Sequence, residues 1–155
     1  MKPLETTVEE VLRKAIQSEV DTRAYYQKMA ARAASPEVKK RMLELSDLEL
    51  LNRAKLERKY REVIGRPAPD PQPPANIDLP SDMVNIDMSH ALKHALERER
   101  DSESYFRFMA ERVPNTELGR LFMELAETEW KHKTDLQREY DSSVAADPEQ
   151  FLLDM

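Results

Sequence analysis

Residues 11–60 recur as residues 91–140, aligned at a constant offset of 80 with no gap, and fifteen of those fifty positions are identical. The identities include Leu12/Leu92, Ala15/Ala95, Glu19/Glu99, Asp21/Asp101, Tyr25/Tyr105, Met29/Met109, Leu45/Leu125, Glu49/Glu129, Leu56/Leu136 and Tyr60/Tyr140. A chain copied in this way must fold as two versions of one unit. Within each copy apolar residues return at intervals of three and four, the spacing of one helical face. Each copy therefore reads as a helical hairpin whose apolar stripe it cannot bury alone. Two such hairpins packed together make an all-α, pseudo-symmetric four-helix bundle. Composition agrees: only two glycines occur, Gly65 and Gly119, and Ala, Leu, Glu, Lys and Arg favour long helices over sheet.

Helices are expected at about 7–33, 36–64, 88–112 and 116–141. Thr6 or Thr7, each with a glutamate three residues on, suits a capping box for the first. Ser35 before Pro36 opens the second, and Gly65 suits its end. The third starts after Asp87, Pro114 ends it, and Asn115 or Thr116 caps the fourth. The intervening residues 66–86 hold six of the ten prolines, Pro67, Pro69, Pro71, Pro73, Pro74 and Pro80. An extended proline-rich stretch of this length reaches roughly 60 Å, against about 45 Å for a helix of nearly 30 residues. It can therefore cross the full length of the bundle and start the third helix at the far end. The tail 143–155 carries a candidate cap, Asp147 before Pro148, and a candidate docking patch of Phe151, Leu152 and Leu153. With 155 residues, one domain is expected.

The apolar stripes are interrupted once on each helix, each time by glutamate. Val8, Leu12, Ala15 and Ile16 lead to Glu19, then Tyr26 and Met29. Leu92, Ala95 and Leu96 lead to Glu99, then Phe106 and Met109. Leu45 and Leu48 precede Glu49, while Leu121, Leu125 and Ala126 precede Glu129. His132 lies three residues after Glu129, on the same face. Four carboxylates aimed into one core repel one another, and each is costly to bury unpaired. Divalent or trivalent cations bridged by the carboxylates resolve this, with imidazole as a softer ligand. A lone Glu-x-x-His is weak evidence; a glutamate on each of four repeat-related helices is strong evidence. His90 and His94, spaced i, i+4, have Glu10 and Lys14 at the matching positions and read as surface residues.

These residues, Glu19 with Tyr25, Glu49 within LELSDLE, Glu99 with Tyr105, and Glu129 with His132 within FMELAETEWKH, resemble the rubrerythrin and ferritin-like di-iron carboxylate family. The resemblance covers both hairpins. It implies a ferritin-like bundle holding two iron ions, with other divalent metals also able to bind. Glu19 and Glu99 would be terminal ligands, Glu49 and Glu129 bridging ligands, and His132 the histidine ligand. Asn52 stands where the family has a second histidine, which leaves one metal without imidazole. Glu103, one turn after Glu99, is the nearest replacement. Tyr25 and Tyr105 are candidates to hydrogen-bond the ligand carboxylates.

The implied function is peroxide reduction or ferrous oxidation, in oxidative stress or iron handling. The competing reading is a degenerate bundle that binds a partner protein or uses its metal only for structure. The sequence contains no cysteine, so the thiolate iron centre of full rubrerythrins is missing, and redox turnover would need an external electron-donor protein. A net charge of −6 without a basic stripe argues against nucleic acid. The N-terminus lacks the apolar run of a signal peptide, and no window approaches 18 apolar residues, so neither export nor a membrane span is expected. The expected setting is the cytoplasm, and the expected assembly a homodimer, with Trp130 on the bundle flank or at the dimer face.

Overall fold

The structure, a computed structural model, describes residues 4–74, 79–81, 83–113, 116–146 and 153. It contains α1 (Leu4–Ala31), α2 (Pro36–Ile64), α3 (Met88–Arg112) and α4 (Thr116–Ala145). Ser35 caps α2, its hydroxyl accepting from the Val38 N–H with Pro36 in the first turn. Gly65 ends α2 at φ 88°, a left-handed position that an L side chain strains to adopt. The Asp87 side chain caps α3 by accepting from the His90 N–H at 2.9 Å.

Two expected boundaries differ. Helix α1 begins at Leu4 and ends at Ala31 rather than spanning 7–33, so Thr6 and Thr7 lie within it rather than before its first turn. Its end is drawn away by other pairing: the Ile86 N–H donates to the Arg32 carbonyl and the Ala34 N–H to the Ile86 carbonyl, both at 2.8 Å. Helix α4 continues to Ala145 rather than stopping near 141. No glycine or proline lies between Asp141 and Pro148 to stop it, and Val144 on the added turn is buried. The expected tail thus starts later than residue 143. Pro114, Asn115, Asp147, Pro148, Phe151 and Leu152 lie outside the described residues, while Leu153 is 80% exposed.

The crossover tracks α1 from end to end. Arg66 pairs with Glu9 at 2.8 Å. The Gln72 N–H donates to the Gln17 side chain at 2.9 Å. Arg32 donates to the Met83 carbonyl at 3.2 Å. Leu79, Met83 and Ile86 are buried in the core. The described residues of the crossover are therefore packed structure, and the segment delivers α3 to the end of the bundle where α1 finishes.

The contacts between hairpins fix the helix directions. From α2 to α4, Arg41 meets Glu139, Asn52 meets Glu129 and Lys55 meets Glu124, an antiparallel sequence of pairs. From α1 to α3, Thr22 meets Arg98 and Tyr26 meets Glu99. The interior divides into two apolar clusters. One gathers Tyr26, Met29, Leu45, Leu96 and Leu136 with the crossover residues. The other gathers Leu12, Ile16, Leu56, Phe106, Phe122 and Ala126. On every helix the interrupting glutamate falls at the change from one cluster to the other. Among the described residues, no helix is long and apolar enough to cross a membrane.

Candidate metal centre

Glu19, Glu49, Glu99 and Glu129 form a polar layer between the two apolar clusters, at 3%, 1%, 0% and 0% exposure. The helical period brings this about. Each glutamate continues an apolar face, so packing that face carries the carboxylate inside. His132 reaches the same layer, its Nδ1 3.9 Å from Glu129 Oε1. Ligand atoms of Glu99, Glu129 and His132 lie within 4.8 Å of one another, close enough to share one ion. Asn52, buried on α2, donates from Nδ2 to Glu129 Oε1 at 2.6 Å. The offset of 80 thus aims position 52 at the same layer as position 132.

The Tyr26 hydroxyl donates to Glu99 Oε1 at 3.2 Å. Sequence reasoning assigned this kind of contact to Tyr25 and Tyr105. The Tyr25 ring instead lies edge-on to Tyr26 and beneath Arg98, and Tyr105 stacks at a tilt against Phe106. In the sequence Tyr26 belongs to the apolar stripe; the available signal is its repeat mate Phe106, which has no hydroxyl. Glu103 does not join the layer. Lys133 donates to one of its oxygens at 2.7 Å and Arg107 to the other at 2.8 Å. His90 is on the surface against Asp87, and His94 lies beside Glu97.

Desolvation governs the electrostatics of the layer. Burial pushes Glu19 up to about 7, and the charges of Glu129 and Glu99 push the same way, against hydrogen bonds with Glu49 and Asn52. Burial, then the charge of Glu19, drives Glu49 well above the ordinary carboxylate range. Burial and the adjoining Glu129 do the same to Glu99. Burial would raise Glu129 as well, but hydrogen bonds with Glu99 and His132, the His132 charge and Asn52 outweigh it and hold Glu129 low. Burial and the Glu99 charge keep the Tyr26 hydroxyl protonated.

The donor set fits cations. Apart from protons shared within the cluster itself, no hydrogen-bond partner meets Glu19 Oε2, either oxygen of Glu49, Glu99 Oε2, Glu129 Oε2 or His132 Nδ1, although all are buried. Unpaired buried acceptors of this kind each cost about 1–3 kcal/mol, more when charged. Oxygen and imidazole donors together suit first-row divalent ions. Metal ligation would make use of each of these atoms.

The family model for rubrerythrin matches residues 10–140. Among solved structures, a dodecameric thioferritin from Bacteroides fragilis, described as a bacterioferritin-related protein, superposes with a TM-score of 0.72 at 19% identity, covering 96% of this chain and 92% of that one. A hypothetical protein from Pyrococcus furiosus superposes at 0.62 with 23% identity, covering 91% and 95%. No curated protein matches significantly. At these identities the two structures speak for the ferritin-like fold, whereas the family match spans both hairpins and every residue of the glutamate layer: the chain belongs to the rubrerythrin family.

Proposed function

We propose that the chain is a cytoplasmic non-haem di-iron carboxylate protein that reduces peroxide or oxidises ferrous iron. The observation carrying this reading is the set of buried, unpartnered ligand atoms on Glu19, Glu49, Glu99, Glu129 and His132. Glu49 and Glu129, from antiparallel neighbours α2 and α4, would bridge two ions. Glu19 and Glu99 would each complete one, and His132 would add a nitrogen to one of them. Bound iron supplies the electron-transfer chemistry that these side chains lack. The chain's own part is to hold and shield. Tyr26 orients Glu99 by its hydrogen bond, and such supporting contacts set how firmly a ligand is aimed. The apolar clusters on either side exclude water from the layer. With no cysteine in the sequence, electrons would come from a separate donor protein.

A homodimer is the proposed assembly. Leu43, Leu50 and Leu51 on α2, and Met123 and Trp130 on α4, are exposed, and an isolated monomer rarely leaves such stripes bare. The dodecameric assembly of the Bacteroides fragilis neighbour lends support to self-association.

The test is anaerobic loading with ferrous ion, then addition of peroxide or dioxygen with and without a reductant. Steady peroxide consumption with reductant supports the peroxidase branch. A retained ferric load after oxygen supports the iron-handling branch. Metal uptake with neither outcome supports the second reading, a partner-binding bundle or a structural metal. Asn52 is the observation that favours this second reading, since its N–H occupies a Glu129 oxygen.

A further inference from the structure

The two halves of the glutamate layer offer different chemistry, though they descend from one repeat. Toward α3 and α4, Glu99 and Glu129 converge with the His132 nitrogen within 4.8 Å. Toward α1 and α2, the matching groups are Glu19, Glu49 and Asn52. Asn52 turns its Nδ2 to Glu129 Oε1 at 2.6 Å. An N–H has no lone pair for a cation, and a rotated amide would present only its carbonyl oxygen. The second half is therefore limited to oxygen donors.

We propose that the centre discriminates between metals by half: the His132 half selects iron, and the Asn52 half accepts manganous ion in its place. This rests on the metal-centre reading above. Nitrogen and oxygen sites alike bind ferrous more tightly than manganous ion, but imidazole suits iron, whereas carboxylate and carbonyl oxygens suit manganese. The margin for iron is thus wide beside His132 and narrow beside Asn52. The natural occupant would be set by the ratio of the two ions available, with the mixed pair forming where manganese is in excess.

The experiment equilibrates metal-free protein anaerobically with ferrous and manganous ions at rising manganese to iron ratios. Unbound ions are removed, and both metals are counted by elemental analysis. Even supporting residues change metal affinity by about tenfold or more. Iron should therefore leave in two steps at least about tenfold apart in ratio, with a plateau near one iron and one manganese per chain. Two variants exchange the asymmetric residues. Asn52→His should move the first step up to join the second. His132→Asn should move the second down to join the first. Each introduces a side chain that the other copy already accommodates in this layer, and circular dichroism checks that the helices persist. A single step in the parent, two irons held at every ratio, or a plateau that survives both variants would overturn the proposal while leaving a metal centre in place. Failure to bind either ion would remove the metal-centre reading as well.

Discussion

Tyr26 and Phe106 stand at equivalent places in the two copies, yet only Tyr26 has a hydroxyl, and it is spent on Glu99. The same asymmetry recurs at Asn52 and His132, and at Arg23 and Glu103. Copies conserve the packing of the layer while its polar detail diverges. Tyr26→Phe should leave helicity intact and weaken iron affinity by about tenfold, because a supporting contact to a ligand is lost while the core is preserved; unchanged affinity would make Tyr26 a packing residue only. Glu49→Ala and Glu129→Ala should each empty most of the site, since a bridging carboxylate serves both ions, whereas Glu103→Ala should leave metal content near the parent's because its oxygens are held by Lys133 and Arg107. Elemental analysis after identical loading decides, and full metal in either bridge variant would refute the choice of bridges. The glutamates and Asn52 were legible from the repeat, because periodicity reports which face a residue occupies. The Tyr26 contact and the Lys133 bond to Glu103 were not, since a partner on another helix leaves no trace in spacing; only Arg107, at i, i+4 from Glu103 on α3, had a local signal.

At the scale of elements, the crossover is the part whose course the sequence could bound but not place. Six prolines forbid helix and permit a long reach. They do not say which residues dock. The structure puts Leu79, Met83 and Ile86 into the cluster shared with α1, α2 and α3, and pairs Ile86 with Arg32 and Ala34. Ile86→Ala should therefore destabilise the fold by about 2–5 kcal/mol, the usual cost of emptying a packed aliphatic site. A loose tether would show a change within about 0.5 kcal/mol. Denaturant unfolding of the metal-free protein separates the two. Helix starts followed the same logic: Ser35 and Asp87 were readable because their caps are local, while the end of α1 was not, because it is set by a strand-like bridge from 86, fifty-odd positions away.

For the whole molecule, the buried layer makes stability depend on pH in a direction opposite to common experience with carboxylates. Without metal, Glu19 titrates in the folded chain at about 7, against roughly 4.3 when unfolded. Between those values the folded state holds a proton that the unfolded state has lost, so stability falls as pH rises. Glu49 and Glu99, also raised by burial, act in the same direction. Glu129 and Glu103, both lowered, act the other way: their contribution is present above the unfolded value and is lost as pH drops through the folded one. The metal-free protein should thus be most stable near pH 5 and weaker near pH 8, with Glu19 alone worth up to about 3 kcal/mol. Bound cations require deprotonated ligands, so metal should stabilise more at pH 8 than at pH 5 and flatten or reverse the slope. Denaturant melts at both pH values, metal-free and with anaerobic ferrous ion, test this directly. A metal-free protein more stable at pH 8 would mean that the four carboxylates are not confined together in a dry layer. A metal-loaded protein with the same slope as the metal-free one would mean that the ions bind elsewhere.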